Sequence, residues 1–371
     1  MKKSKYIIVV LFAIISCNIK PKQTLLGTEI NYSPEYARGF SLHTKGDTTV
    51  LKITDPWQYA SGTEFNYVLT PNASPKVMNE IKTPVTNAIC MSTTHVALLS
   101  ALEQTDVISG ISGVENVSDS GVIALKNKIH EVGYGVNISY ELIFSLQPDV
   151  IFAYGVMGEF AAVEEKLNEL GIKVVYIGEY LEDSPLGKAE WLVAMSAFFN
   201  KQEFAIQKFK TIAENYSNAQ SKLLETAHKP TIMLNVPYND TWYLPGNKSY
   251  MTTFLRDAGA EYIYSEYDKK ESFPMSIENA FVISQRADIW LISNAAKSLA
   301  ELKNIDSRMS DIPAFRNKKV YNSNKRVNPA GGDDFWESGI IKPDIILKDM
   351  IKIFHPEIMP EHELYFYTQL Q

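Results

Sequence analysis

The chain has 371 residues, a length that suits two domains better than one. Hydrophobic residues make up 45% and charged residues 21%, which is typical of a globular protein and excludes disorder over most of the chain. The formal net charge of −7 argues against a nucleic-acid binder, and two cysteines, Cys17 and Cys90, are too few for a disulfide scaffold or a cysteine-rich metal site.

The N-terminus has the pattern of a targeting segment. Three lysines lie within the first five residues, and residues 6–15 form an apolar run that is too short for a membrane span of about 20 residues. The run ends in Ile-Ile-Ser-Cys17, which resembles the bacterial lipobox and implies lipid attachment at Cys17. We predict a lipoprotein signal peptide over 1–16 and a tether over 17–27, with an ordinary secretory peptide as the alternative.

Residues 28–80 have a β pattern and are predicted to form an N-terminal β extension. Residues 39–44 and 48–53 alternate in polarity around a Lys-Gly-Asp turn, which predicts a hairpin. A further short strand is predicted at 65–69. Cys90, just beyond this region, is predicted to be a buried apolar side chain, because no second cysteine of the mature chain is available to pair with it.

Strands and helices alternate from residue 81 to 184, which predicts a first α/β lobe. Residues 185–229 then change character. The segment 203–227 contains no Gly or Pro and keeps a helical stripe of apolar residues, which predicts a connecting helix of about 35–40 Å. Asn200 is predicted to cap this helix, and Pro230 to end it.

The α/β pattern restarts over 230–371, the predicted second lobe, and closes with a helix at 344–354. A weak repeat relates the two lobes. Ser139, an apolar helix and Asp149 before an apolar strand correspond to Ser276, a helix and Asp288 before a strand. Serine is a good N-cap for a helix, so we predict structural duplication and a cleft between the lobes.

Several segments resemble a known family when taken in order. They are residues 132–151, 242–259, 314–321 and 343–357, within a resemblance that covers about 85–360. Together they resemble the substrate-binding proteins of ABC importers for iron–siderophores, haem and cobalamin. The match has departures: Lys318 stands where the family usually has Gly, and the spacing between Asn137 and Glu141 is longer.

The resemblance implies a class III periplasmic binding protein fold: α/β, with two Rossmann-like lobes bridged by a single long α-helix. It also implies a monomer without catalytic activity or a cofactor of its own, anchored by lipid in the cell envelope and facing the periplasm or exterior. Its ligand would be an iron–siderophore, haem or cobalamin, delivered to an ABC permease and its ATPase. Family members dock through one acidic residue per lobe. Glu159 lies near the first position, but Thr253 occupies the second.

Candidate ligand contacts lie where strands end and helices begin. In the first lobe these are Thr94 and His95, at the start of a helix, and Tyr134 and Tyr154. His95 is predicted either to contact the ligand or chelated metal, or to be a solvated first-turn residue. The tyrosines are predicted either to line the cleft or to fill the core.

The second lobe offers Trp242 and Tyr243, Arg326 and Trp336. Flat aromatic groups suit macrocycles and chelates, and the chain's 20 Tyr and 5 Trp fit such a lining. Arg326 is predicted to pair with anionic oxygens of the ligand, which slightly favours an anionic chelate. The alternatives are a loop anchor for the aromatic residues and a solvated Arg326.

Two other functions remain open. A bare zinc or manganese receptor has a similar design but needs three or four His, Asp or Glu ligands, and most of the six histidines lie outside the predicted cleft edges. A lipid-anchored enzyme is the lesser alternative, since the chain has no GxSxG elbow, phosphate loop or GxGxxG after a strand.

Overall fold

The computed structural model describes residues 29–155, 161–223 and 228–371. The extension is a five-stranded sheet of β1 (Glu29–Tyr32), β2 (Phe40–Lys45), β3 (Thr48–Thr54), β4 (Glu64–Thr70) and β5 (Glu80–Lys82), in that order. The predicted hairpin is confirmed, since β2 pairs antiparallel with β3. Alternate residues of β3, including Leu51 and Ile53, are buried, so one face of the sheet joins the hydrophobic core.

The first lobe contains a five-stranded parallel sheet in the order β12-β11-β6-β7-β8. Its strands are β6 (Ala88–Cys90), β7 (Ile108–Ile111), β8 (His130–Glu131), β11 (Val150–Ala153) and β12 (Val174–Tyr176), and a small hairpin pairs β9 (Gly133–Tyr134) with β10 (Asn137–Ile138). The helices are α1 (Thr93–Ala101), α2 (Ser120–Leu125), α3 (Tyr140–Leu146) and α4 (Ala161–Glu169). Cys90 is fully buried, as predicted.

The bridge between the lobes consists of α5 (Pro185–Ser196) and α6 (Gln202–Ser221). At 1.5 Å per residue α6 is about 30 Å long, shorter than predicted, because its C-cap is Lys222. The predicted capping role of Asn200 is wrong. Asn200 adopts the left-handed conformation, with φ 56°, and ends the turn before α6, while Lys201 is the N-cap.

Side chains of α6 hold both lobes. The ammonium groups of Lys201 and Lys208 donate hydrogen bonds to the carbonyls of Leu102 and Ala101, at the C-terminus of α1 in the first lobe. Further along the helix, the hydroxyl of Tyr216 donates to a carboxylate oxygen of Asp257 in the second lobe, at 2.7 Å. The helix and its N-cap therefore make side-chain contacts with both lobes.

The second lobe repeats the α/β arrangement. Its sheet order is β15-β13-β17-β18-β19, parallel except for β19. The strands are β13 (Thr231–Leu234), β15 (Glu261–Tyr262), β17 (Ile289–Ile292), β18 (Val320–Asn322) and β19 (Thr368–Gln369), and β14 (Thr241–Leu244) pairs with β16 (Phe273–Ser276) in a separate ribbon. The helices are α7 (Tyr250–Asp257), α8 (Ile277–Ser284), α9 (Leu299–Ile305), α10 (Pro313–Arg316) and α11 (Pro343–Phe354).

The internal repeat predicted from the sequence has a common structural role in the two lobes. Ser139 and Ser276 are the N-caps of α3 and α8, and each hydroxyl accepts a backbone N–H bond in the first turn. A carboxylate oxygen of Asp149 accepts the N–H of Asn87 before β6, and Asp288 accepts that of Thr231 at the start of β13. The repeated aspartates thus join neighbouring parallel strands.

Two buried carboxylates fasten the extension to the rest of the fold. Glu190 of α5 is 1% exposed and accepts the backbone N–H groups of residues 35–37 at 2.7–2.9 Å, together with the hydroxyl of Tyr32. Glu182 accepts the N–H groups of Arg38 and Gly39 and the indole N–H of Trp191. The extension is therefore an integral part of the folded body.

Candidate functional site

The start of α1 lies at the carboxyl end of β6, where the sequence places Thr94. The side chain of Ser92 caps the helix by accepting the N–H of Thr94. The hydroxyl of Thr94 donates to Oε1 of Glu179 at 2.5 Å. Glu179 is 2% exposed, and its Oε2 has no hydrogen-bond partner among the described residues. Burial raises the pKa of the Glu179 carboxyl, and the hydrogen bond from Thr94 and the charge of Lys188 oppose this shift.

His95 is fully buried, so it is not the solvated first-turn residue of one prediction, nor can a ligand reach it in this conformation. Neither ring nitrogen makes a hydrogen bond of good geometry within the described part of the chain. Burial lowers the pKa of His95 to about 3, an effect that the backbone of Phe152 partly opposes, and the ring is therefore neutral at physiological pH. His95 lies beneath the more exposed side chain of Tyr154.

Tyr154 covers the buried ring of His95. Its side chain is 37% exposed, and its ring packs edge-on against His95, with 6.4 Å between ring centroids. The ring of Tyr180, which follows β12, packs edge-on against Tyr154 at 6.2 Å, and its hydroxyl donates to the carbonyl of Gly155. Tyr180 was not predicted, although the rule that ligands bind beyond the carboxyl ends of parallel strands applies to it as well.

Tyr134 is the other exposed aromatic side chain of the first-lobe edge. It is 51% exposed, and its hydroxyl accepts a hydrogen bond from the Asn116 amide at 3.1 Å. Tyr134 belongs to the β9–β10 hairpin that leads into α3. The ring of Tyr134 is therefore accessible to a ligand, and the hydrogen bond from Asn116 fixes the position of its hydroxyl group.

The structure corrects the prediction for Trp242. This side chain is fully buried, its indole N–H donates to the carbonyl of Leu234, and its ring packs against Phe281 and Trp290. Because side chains alternate along a strand, the next residue, Tyr243, points outward and is 48% exposed. Trp242 thus stabilises the core of the second lobe, and Tyr243 is the accessible member of the pair.

Arg326 uses one of its guanidinium nitrogens within its own lobe, and its side chain is 44% exposed. Its Nε donates to Asp334 at 2.6 Å, and its guanidinium lies 4.4 Å from the ring centroid of Tyr365. Recognition of an anionic ligand by Arg326 therefore stays a prediction. Trp336 is 43% exposed, and its indole N–H donates to the hydroxyl of Ser293 beyond β17, which leaves part of the ring accessible.

Direct contacts join the two lobes beside these residues. The Glu337 carboxylate accepts the backbone N–H groups of Ser118 and Asp119 at 2.7 and 2.9 Å. The Asn328 amide donates to the carbonyls of Glu115 and Val117, both at 3.0 Å. Burial raises the pKa of Glu337 to about 7. These contacts close one side of the space between the lobes.

A cavity of about 430 Å³ lies on another side, with walls from both lobes and from the extension. Tyr180 and Asp183 line it from the first lobe, Tyr250 and Lys270 from the second, and Trp57 and Tyr59 from the extension. None of the side chains predicted as ligand contacts is part of this lining, although Tyr180 touches Tyr154. Its volume falls within the usual range of small-molecule pockets.

Two predicted residues, Cys17 and Glu159, lie outside the described residues. Across 29–155, 161–223 and 228–371 there is no group of three or more His, Cys, Asp or Glu side chains placed to hold a metal ion. The same ranges contain no helix with the length and apolar character needed to cross a membrane.

Two α/β lobes on a helical bridge, with aromatic side chains between them, define a solute-binding protein of the type used by ABC transporters. The family model described as periplasmic binding protein matches residues 89–327, and the chain belongs to this family.

Individual proteins are also similar to this chain. An uncharacterized lipoprotein of Methanocaldococcus jannaschii is 28% identical over 301 residues, which cover 78% of this chain and 70% of that protein. A periplasmic haem-binding protein from Pseudomonas aeruginosa has a TM-score of 0.58 at 13% identity, over 77% of this chain and 98% of that one. An ABC-type Fe³⁺-hydroxamate transport protein from Saccharomonospora viridis has a TM-score of 0.54 at 17% identity, over 79% and 98%. At these identities the two structures show a shared fold.

Proposed function

We propose that this protein captures an iron–siderophore, haem or cobalamin between its lobes and delivers it to an ABC permease driven by its ATPase. The observation that carries the proposal is the 430 Å³ cavity, because Tyr180 of the first lobe and Tyr250 of the second line the same space. A ligand bound there contacts both lobes at once. The structural neighbours named for haem and Fe³⁺-hydroxamate support this ligand class.

The protein's part in this function is binding rather than catalysis. Exposed aromatic rings supply large contact areas at a small cost in side-chain entropy. We propose that the ligand extends beyond the cavity, where Tyr180 contacts Tyr154, and that Tyr134, Tyr154, Tyr243 and Trp336, which lie outside the cavity lining, contact this outer part of the ligand. Thr94 and His95 support this surface from beneath.

Native mass spectrometry of the protein purified from its host tests the proposal directly, because a retained chelate adds its own mass. Thermal unfolding with ferrichrome, ferric enterobactin, haemin and cyanocobalamin provides a second test, since a ligand that binds only the folded state raises the Tm with concentration. We expect a retained mass or a Tm increase for at least one of these compounds. A protein purified without ligand and unaffected by all four would contradict the proposal.

We further propose that the protein is anchored to a membrane through lipid on Cys17, facing the periplasm or exterior. The lipobox-like Ile-Ile-Ser-Cys sequence and the lipoprotein relative support this. A single acyl chain binds membranes only marginally, whereas two or more anchor stably. We expect Cys17→Ala to move the protein from the membrane fraction to the soluble fraction. An unmodified Cys17 in soluble mature wild-type protein would contradict the anchor.

Docking on the permease is proposed to use Glu159. Charge pairs at an interface mainly accelerate and orient association, so Glu159→Lys should reduce ligand-dependent stimulation of the permease ATPase while leaving ligand affinity unchanged. Thr253, at the corresponding place in the second lobe, donates its hydroxyl to the carbonyl of Ser249 within α7, and Thr253→Ala is the matched control. Equal stimulation by wild type and Glu159→Lys would contradict this role.

A further inference from the structure

The loop between β3 and β4 brings the extension to the edge of the interlobe space. Asp55 closes the loop, because its N–H donates to the carbonyl of Thr63 and its carboxylate accepts the N–H of Thr63. Trp57 forms a parallel β-bridge with Gly155, beyond the end of β11, and its ring packs edge-on against Tyr176 at 5.3 Å. The loop is therefore docked on the first-lobe sheet at the position where ligands bind in α/β folds.

Tyr59 stands at the tip of this loop. Its φ is 67°, in the left-handed region that a bulky residue rarely adopts, and its side chain is 78% exposed. Because the ring is largely exposed, its packing against other side chains does not explain why Tyr59 adopts this unfavourable backbone conformation. Residues held in such conformations cluster at ligand-binding sites, where the surrounding structure maintains the strain. Tyr59 lines the 430 Å³ cavity, so the strained position presents an aromatic face to that space.

The opposite walls of the cavity come from the two lobes. Tyr180 contributes from the first lobe and is continuous with Tyr154, the exposed cleft residue. Tyr250 contributes from the second lobe, at the first position of α7, and the ammonium of Lys188 lies 4.4 Å from its ring centroid. Aromatic side chains therefore face the cavity from three separate parts of the chain.

The charges around the cavity are unbalanced. Two basic side chains, Arg38 and Lys270, line it together with four acidic ones: Asp55, Glu182, Asp183 and Glu271. Glu182 is occupied by backbone N–H groups and interacts with the charge of Lys188, and Arg38 pairs with Asp183 at 3.5 Å. The excess of negative charge therefore rests on Asp55 and Glu271, against Lys270. An excess of carboxylates disfavours a polyanionic ligand by like-charge repulsion. Arg326, the cation predicted for an anionic ligand, does not line this cavity.

We propose that the extension forms a third wall of the ligand pocket, and that this pocket takes a neutral or cationic chelate with an apolar face. This inference rests on the proposed function and adds two features to it. The loop of Trp57 and Tyr59 contacts the ligand directly, and the charge of the cavity selects among chelates.

Isothermal titration calorimetry at fixed ionic strength tests both features. The probes are neutral ferrichrome and cyanocobalamin, cationic ferrioxamine B, trianionic ferric enterobactin and haemin with its two carboxylates. We expect a neutral or cationic probe to bind at least about tenfold more tightly than ferric enterobactin. Tyr59→Asn should weaken that binding by about tenfold or more, in the range of a hot-spot contact, because the aromatic face is lost.

The variants are chosen so that folding does not obscure the result. Asn tolerates the left-handed backbone of Tyr59, and Tyr59→Phe keeps the ring and should bind like wild type. Phe144→Ala, which removes an exposed ring of α3 outside the cavity lining, is the matched control and should leave affinity within about twofold.

Each contrary result has a separate meaning. Unchanged affinity in Tyr59→Asn, with losses in Tyr134→Ala and Trp336→Ala, would overturn the third wall and leave the proposed function intact. Tighter binding of ferric enterobactin or haemin than of the other probes would overturn the charge selection alone. No binding of any of the five probes by wild type would overturn the proposed function, and this inference with it.

Discussion

The carboxylate of Glu337 in the second lobe accepts the backbone N–H of Ser118 in the first lobe at 2.7 Å. The second carboxylate oxygen accepts the N–H of Asp119 at 2.9 Å, and Glu337 itself is 1% exposed. This pair of bonds crosses the space between lobes that are far apart in sequence. It supplements the covalent bridge of α5 and α6 with a direct contact between the lobes.

Replacing Glu337 should therefore weaken the folded protein. Glu337→Gln keeps the size of the side chain but retains only one acceptor oxygen, so one buried N–H loses its partner. A buried group left unsatisfied costs about 1–3 kcal/mol. We expect the urea midpoint to fall accordingly, whereas Glu357→Gln, a change at an exposed position of the same lobe, should lie within about 0.5 kcal/mol of wild type. Indistinguishable midpoints for the two variants would contradict a stabilising role of the Glu337 hydrogen bonds.

Ligand binding should change the distance between the lobes only slightly. Lys201 and Lys208 fix α6 to the first lobe, Tyr216 fixes it to the second, and Glu337 adds a direct contact. Large hinge closure needs a few residues that absorb changes in φ and ψ, and these contacts restrain the bridge. Small-angle X-ray scattering with and without saturating ligand should give the same radius of gyration within error; a clear compaction would refute this.

The buried His95 predicts a dependence of stability on pH. Its pKa in the folded protein is about 3, against an ordinary value of 6.5. Below pH 6.5 the unfolded chain binds a proton that the folded protein does not, so stability falls as the pH decreases from about 6.5 toward 3. His95→Phe removes this linkage. Because neither ring nitrogen makes a hydrogen bond of good geometry within the described ranges, the change should cost little at pH 7.5.

The measurement for His95 is the urea midpoint at several values between pH 7.5 and 4. We expect the wild-type midpoint to fall more steeply on acidification than that of His95→Phe. His130→Asn, a change at an exposed position, is the control and should follow the wild-type slope. Parallel curves for wild type and His95→Phe would show that the folded state accommodates a protonated His95.

Trp242 and Tyr243 should respond in opposite ways to truncation. Trp242→Ala removes a fully buried indole and leaves a cavity, which typically costs about 3–5 kcal/mol of unfolding free energy. Tyr243→Ala removes an exposed ring and should change stability by less than about 0.5 kcal/mol. Urea unfolding monitored by circular dichroism distinguishes them. A small effect of Trp242→Ala would mean that its ring is not part of the second-lobe core.

The lobes were predictable because their signals are local. Strand hydrophobicity, serine caps at Ser139 and Ser276, and the aspartates before β11 and β17 all lie within short windows of sequence. The family resemblance then supplied the relation between the lobes. The end of α6 at Ser221 was less predictable, because the helical pattern continues past the point where the helix stops.

The candidate site was less predictable, for a geometric reason. Alternation along β14 requires that Trp242 and Tyr243 face opposite sides, but only the pairing with β16 and the packing on Trp290 determine which one is buried. The burial of His95 likewise depends on Tyr154, which lies much later in the chain. The cavity brings Tyr59, Tyr180 and Tyr250 together, and no local pattern relates residues that far apart.

The attachment of the extension to the folded body would limit the distance between that body and a membrane, if the protein is anchored through Cys17. Glu190 holds residues 35–37 against the bridge, so the folded body begins close to Glu29. If Cys17 carries the lipid, residues 17–28 separate the lipid from the first strand. Twelve residues span at most about 43 Å, at about 3.3–3.6 Å per residue. With the proposed anchor, the protein would meet its proposed permease at a high effective concentration, and weak docking contacts would then be sufficient for repeated delivery.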